Sequence, residues 1–236
     1  MKAPSEKLIE LLFIRHGLQI CGPTTSLYAP STREEYYKGY DASFMGRPGG
    51  REILLQFKTP YVHVRRKGRF TITINPRQHE RLLGHPENSA FYVSHAFQSI
   101  QEINDSQQNI VDSRQFLKFF IAIEVRALAP DTNFVQFIRD GAAIPILPTF
   151  KRGTDGATRT ARNPIPEADC YDGEHLLRQY KAKKVGRYIS YANREEGLTQ
   201  SEKVSRKSRV LFSPDESLGD TESVQDRNFG SLLRDY

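Results

Sequence analysis

Three polar residues able to share one cation stand close together in this sequence. Asp41 lies near the start of GYDASFMGRPGGREILLQFKTPY, residues 39–61, and Gln56 and Lys58 lie near its end. Pro48-Gly49 suits the two central positions of a type II turn. A hairpin centred there pairs residues whose numbers sum to 97, which sets Asp41 opposite Gln56 and Ser43 opposite Leu54. Directly opposed residues hold their Cβ atoms roughly 5 Å apart. Two-residue hairpins favour primed turns, so the Gly-rich stretch also admits a longer loop or a bulge. On the second strand Leu54, Gln56 and Lys58 share one face, and the apolar Ile53, Leu55 and Phe57 share the other, which should pack on the core.

A carboxylate, an amide carbonyl and an ammonium suit phosphodiester hydrolysis. Mg2+ or Mn2+ takes hard oxygen donors, polarises a phosphate and lowers the pKa of a bound water. Asp41 would be the anionic ligand, the Gln56 carbonyl a neutral ligand, and Lys58 the group that orients the water or stabilises charge growing on the phosphate. A second carboxylate is available from Glu34 or Glu35, one turn upstream, or from Glu10. The expected metal ligands are Asp41, Gln56 and Glu34, with Glu35 joining Asp41, Gln56 and Lys58 as a catalytic residue. The bland alternative makes Asp41 a turn-flanking residue, Gln56 a cross-strand partner and Lys58 a guard on an edge strand.

Other constellations compete. FIRHG, residues 13–17, resembles the Arg-His-Gly signature of histidine phosphatases, with His16 as nucleophile and Arg15 as phosphate clamp. No second arginine-histidine pair stands out downstream, and the tripeptide also fits a helix end with Arg15 and His16 facing solvent. His95 reads as a core histidine and Gln78 as an exposed helix residue. Two basic clusters suit nucleic-acid phosphates: Arg65, Arg66 and Lys67 beyond the hairpin, and Lys181, Lys183 and Lys184 among tyrosines. Each also reads as an ordinary solvated charged surface.

The elements that must position these groups follow from periodicity. Residues 5–20 read as a helix capped by Ser5 and stopped at Gly22-Pro23, although the short, wholly apolar LLFI at 11–14 also suits a strand. STREEYYKG is a short helix, with a capping box of Ser31 with Glu34 or Thr32 with Glu35 and Gly39 as its left-handed cap. The hairpin comes next, then RFTITI as a third strand and a helix from Asn75-Pro76 to Leu83. AFYVSHAF, FFIAIEV and NFVQFI are strands, and residues 98–118 are helical.

The chain has 236 residues with a net charge of +6. That suits an anionic partner, and equally a plain basic protein. Cys21 and Cys170 stand far apart with no CxxC, which argues against a structural zinc site and favours a reducing compartment. With no leader-like N-terminus and no apolar run of membrane length, a cytoplasmic location without membrane contact is expected.

The acidic residue on one strand and Gln56-Phe57-Lys58 on the next resemble the PD-(D/E)XK, or restriction-endonuclease-like, superfamily. The order helix, strand, strand, strand, helix, strand over residues 5–97 resembles its core too. The sequence departs from the pattern twice: Tyr40, not proline, precedes Asp41, and Gln56 replaces the usual acid, as in a subset similar to Mrr-type nucleases. The resemblance implies an α/β fold with a central mixed β-sheet flanked by helices. It also implies a Mg2+- or Mn2+-dependent endonuclease acting on DNA, in bacterial defence against foreign DNA. The organisation expected is a nuclease-like domain over 1–150, a basic, tyrosine-bearing extension over 151–194 and a polar tail over 195–236 that can engage a protein partner. The amide at position 56 and that tail leave a second function open, a catalytically inactive nucleic-acid-binding or scaffolding subunit of a larger complex.

Overall fold

The computed structural model describes residues 3–47, 50–63, 68–109, 112–139, 150–152, 159–161, 165–166, 169 and onward to 189. These all fall within one compact unit, Met1–Asn193. Arg65, Arg66 and Lys67, the Pro48-Gly49 pair and the expected tail lie outside the described residues.

In chain order the elements are α1 (Glu6–Cys21), β1 (Ser26–Tyr28), α2 (Thr32–Lys38), β2 (Ala42–Met45), β3 (Arg51–Phe57), β4 (Tyr61–Val62), β5 (Arg69–Thr73), α3 (Pro76–Leu83) and β6 (Ala90–His95). There follow α4 (Ile100–Asn109), α5 (Ser113–Leu117), β7 (Phe120–Glu124), β8 (Phe134–Ile138), β9 (Phe150–Arg152), β10 (Arg159–Ala161), β11 (Cys170–Asp172), α6 (Gly173–Lys181) and β12 (Arg187–Tyr188).

Among the described residues these build a seven-stranded sheet in the order β1-β2-β3-β6-β7-β11, with β12 also pairing β3, and a second sheet in the order β10-β9-β8-β5-β4. The first sheet is mixed, because β3 and β6 run parallel while its other pairs are antiparallel. A parallel pair needs a crossover, and the chain between β3 and β6 supplies it, carrying β4, β5 and α3. RFTITI therefore does not extend the hairpin's sheet. It pairs β8 in the second sheet, with Phe70 opposite Phe137 and Ile72 opposite Val135. The place of a first strand beside β2 is taken by Ser26–Tyr28, with Leu27 opposite Phe44.

Strand alternation gives the first sheet two apolar faces. Ile53, Leu55, Phe57, Phe91, Val93 and Ala122 point toward α1, α5 and α6, where Ile9, Phe13, Phe116 and Leu177 meet them. Phe13 packs edge-on against Phe57 and Phe120, at centroid separations of 5.6 and 5.2 Å. Leu54, Tyr92, Ile121 and Ile123 point the other way, onto Phe70, Ile72, Val135 and Phe137 of the second sheet. The central sheet is thus mixed and flanked by helices, as expected, with its other face covered largely by the second sheet. Residues 98–118 give two helices, α4 and α5, where one was read.

The segment set apart by composition after residue 150 contributes to this same fold. β11 pairs β7, α6 packs on α1 and α5, and β12 pairs Arg187 with Glu52. His16 lies on α1 with its ring 4.3 Å from that of Phe116 and Nδ1 2.9 Å from Ser113 Oγ, so it serves helix packing. His95 is fully buried, and burial lowers its pKa to about 3, so it stays neutral in the core. No helix among the described residues is long and apolar enough to cross a membrane.

Candidate metal and phosphodiester site

The hairpin register is the one the numbers imply: Ala42 faces Leu55, Ser43 faces Leu54, Phe44 faces Ile53 and Met45 faces Glu52. Gly50 N–H donates to Arg47 O at 2.6 Å across the turn, and Gly46 N–H donates to Arg51 O at 2.8 Å. At the other end Asp41 N–H donates to Leu55 O at 2.9 Å, which holds Asp41 at the entry to β2. The ladder closes there through a side chain. Asp41 Oδ2 accepts from Phe57 N at 2.6 Å and from Gln56 Nε2 at 2.7 Å.

Gln56 is 1% exposed, so both ends of its amide need partners. Its nitrogen donates to Asp41, and its carbonyl accepts from Gln78 Nε2 at 2.6 Å. Gln78 sits in the first turn of α3, whose cap is Asn75; Asn75 Oδ1 accepts from Arg77 N and Gln78 N at 3.0 and 3.2 Å. The exposed role read for Gln78 in the sequence gives way to a half-buried one inside the site. Its signal was its place in the first turn of the helix that follows the hairpin.

Glu35 supplies the second carboxylate. Ser31 caps α2, with Glu34 closing the capping box, and Gly39 ends the helix at φ 81°, a left-handed conformation that glycine takes without strain. Two residues later the chain enters the strand at Asp41. Tyr40, in place of a proline, is buried against the core on the second-sheet side and anchors that step. Glu35 is thereby brought within hydrogen-bonding reach of the Asp41 carboxyl. Glu34 is brought elsewhere: its carboxylate accepts from Ser31 N and Tyr28 OH, each at 2.9 Å, and lies 3.5 Å from Lys38 Nζ. Those partners hold the Glu34 carboxyl down at about 2. Glu10 is ion-paired with Lys7 at 2.7 Å, and Glu6 Oε2 accepts from Thr59 N at 3.2 Å, one residue past Lys58.

Lys58 continues β3's parallel pairing. Its N–H donates to Val93 O at 2.8 Å, and its carbonyl accepts from Ser94 Oγ at 2.7 Å. Its backbone is therefore fixed, and its side chain makes no ion pair among the described residues. Its charge acts on Asp41. Burial pushes the Asp41 carboxyl up to about 7; the Phe57 N–H opposes that shift, Glu35 adds to it, and the Lys58 ammonium opposes it.

The Asp41 and Glu35 carboxylates offer hard oxygen donors of the kind Mg2+ or Mn2+ accepts, whereas Gln56 faces Asp41 with its Nε2 and turns its carbonyl to Gln78, so that carbonyl would join them only with the amide rotated. The raised Asp41 carboxyl marks an acid taken out of water, with the neighbouring Glu35 adding to the shift. Among the described residues no group of three His, Cys, Asp or Glu side chains could hold a metal. Glu35, Asp41, Gln56, Lys58 and Gln78 are brought together; Glu34 and the Lys181–Lys184 cluster are not. Comparison with protein-family models, with curated proteins and with solved structures returns no match for this chain.

Proposed function

We propose that the chain is a divalent-cation-dependent phosphodiesterase acting on nucleic acid, DNA foremost, with a restriction-endonuclease-like core. The observation that carries this reading is the open end of the β2–β3 hairpin, opposite its turn. There a carboxylate raised to about 7 meets a second carboxylate, a buried amide and a lysine with a fixed backbone. The succession α1, β1, β2, β3, α3, β6, with neighbours β1-β2-β3-β6, supports the fold assignment. A role in bacterial defence against foreign DNA belongs to the same proposal and rests on the family resemblance.

Glu35, Asp41 and, with its amide rotated, the Gln56 carbonyl would hold Mg2+ or Mn2+, which supplies phosphate polarisation and a more acidic water. Gln78 keeps Gln56 in place. Lys58 offers a positive charge, set on a rigid strand end, to oxygens on which negative charge builds. The +6 chain draws the polyanion in.

Purified protein should cleave plasmid or oligonucleotide DNA with Mg2+ or Mn2+ and be silent in EDTA. Lys58→Ala should lower the rate by about 100-fold or more. Undiminished cleavage by that variant refutes the assignment. One observation favours a second reading, a non-catalytic nucleic-acid-binding or scaffolding subunit. Both ends of the Gln56 amide already have protein partners. Salt-sensitive DNA retention without divalent-dependent cleavage selects it.

A further inference from the structure

We propose a second site, a cleft at the turn end of the β2–β3 hairpin that binds a phosphate-bearing ligand. Three chain ends meet there. The hairpin turn brings Arg47 and Arg51, the segment after α1 brings Thr24 and Thr25, and the end of α6 brings Lys181 and Lys183. They surround a cavity of ≈ 320 Å³ whose lining holds these four cations and no carboxylate. That volume is at the lower end of small-ligand sites and suits a mononucleotide or a short piece of nucleic-acid backbone.

Four like charges around one cleft repel one another, and an anion turns that repulsion into attraction. No nearby acid does so from within. Glu52, next to Arg51, alternates to the other face of the sheet, and Arg187 Nε already donates to it at 2.7 Å. The fold holds the cationic groups in place: Arg51 Nη1 donates to Gly186 O at 2.5 Å and Lys181 Nζ to Ile20 O at 3.3 Å. An arginine carries five donors and a lysine three, so most of theirs stay available.

Lys183 adds an independent sign. It adopts φ 60°, a left-handed conformation uncommon for a residue with a side chain. Lys183 N–H to Tyr180 O and Lys184 N–H to Gln179 O, both 2.9 Å, hold it there. Glycine would take this position without strain, so the ammonium is what the lysine adds to the cleft. The basic lining continues over α6, where Arg178, Lys181 and Lys184 line a second, more open cleft.

This site is separate from the one at Asp41 and does not rest on the hydrolytic reading. The seven residue steps from Arg51 to Lys58 span roughly 23 Å of strand at about 3.3 Å each. Arg51 also shares the α1 and α6 face with Ile53 and Leu55, whereas Gln56 shares the opposite face with Leu54.

The test is binding to the full chain in EDTA, on an Asp41→Asn background so that no hydrolysis intervenes. Adenosine monophosphate and inorganic phosphate are titrated calorimetrically, and a fluorescent oligonucleotide by anisotropy over a range of salt. The comparison is the same chain carrying Arg47→Ala and Lys183→Gly, the second of which relieves the backbone and so protects the fold. Saturable binding of the monophosphate or of phosphate, at least tenfold weaker in the double variant, supports the site with a free ligand as its source. Weakening confined to the oligonucleotide, with the salt slope reduced by about 2, supports it with the strand backbone as its source. If the double substitution changes neither, the site is overturned.

Discussion

Asp41→Asn is the substitution that most directly interrogates the candidate centre. Asp41 Oδ2 accepts two hydrogen bonds, from Gln56 and Phe57, while the Glu35 carboxyl lies on its other flank. The folded chain therefore keeps a proton on Asp41 up to about pH 7, whereas an unfolded chain releases it near 3.8. Between those values the folded state binds more protons, so stability falls as pH rises from about 4 to about 7 and levels off above that. The gap corresponds to about 4 kcal/mol at 1.36 kcal/mol per pH unit. Asp41 is half-buried, and solvent screening brings the expected effect to about 2–4 kcal/mol. An asparagine oxygen accepts both hydrogen bonds, its amide donates to Glu35, and it does not titrate. In EDTA, urea denaturation should show the variant and the parent equally stable near pH 4, with the variant ahead by about 2–4 kcal/mol near pH 8. Mg2+ should restore stability to the parent near pH 8 and do little for the variant, because a cation binds the folded state alone. A parent indifferent to Mg2+ near pH 8, or a variant with no advantage there, refutes the reasoning.

The two neighbouring glutamates separate by role. Glu35→Gln should abolish cleavage and reduce the Mg2+-dependent gain in stability, whereas Glu34→Gln should leave cleavage intact and cost about 0.5–1 kcal/mol through the loosened capping box. Rates and urea midpoints of the two variants, measured side by side, check this. Gln78→Ala leaves the buried Gln56 carbonyl without its partner, at about 1–2 kcal/mol in stability. It should slow cleavage by about 10- to 100-fold and raise the Mg2+ concentration needed for half-maximal rate, as removal of a group that orients a ligand does. A Mg2+ titration of the rate distinguishes that from a purely structural loss.

The hairpin was legible because two constraints agreed. Pro48-Gly49 suggested the pairing sum, although the Gly-rich stretch also admitted a longer loop or a bulge, and alternation of Ile53, Leu55 and Phe57 with Leu54 and Gln56 favoured a register that buries the first set, here against α1. The choice between Glu34 and Glu35 was not legible, because Ser31 with Glu34 and Thr32 with Glu35 both spell a capping box; the structure uses the first, and Glu35, a quarter-turn away, faces Asp41.

What stayed hidden depends on neighbours distant in sequence. Alternation in RFTITI gives that strand its buried face but says nothing about which sheet receives it, and its partner, Phe134–Ile138, lies more than sixty residues on. Ser26–Tyr28 has three residues, mostly exposed, and is a strand only because Phe44 and Met45 lie beside it. Gln78 carries the same lesson into the site. On its own helix it is one more polar residue of the first turn. Only the crossover that brings α3 to the end of β3 makes it the partner of a buried amide. An amide rather than an acid at position 56 is coherent with this packing. An acid there would place a third carboxylate beside Asp41 and Glu35, adding like-charge repulsion to the burial that already lifts Asp41 to about 7. The amide instead accepts from Gln78 and donates to Asp41, linking α3 to the end of the hairpin. Gln56 and Gln78 thus function as a pair, and replacing either alone disturbs the other.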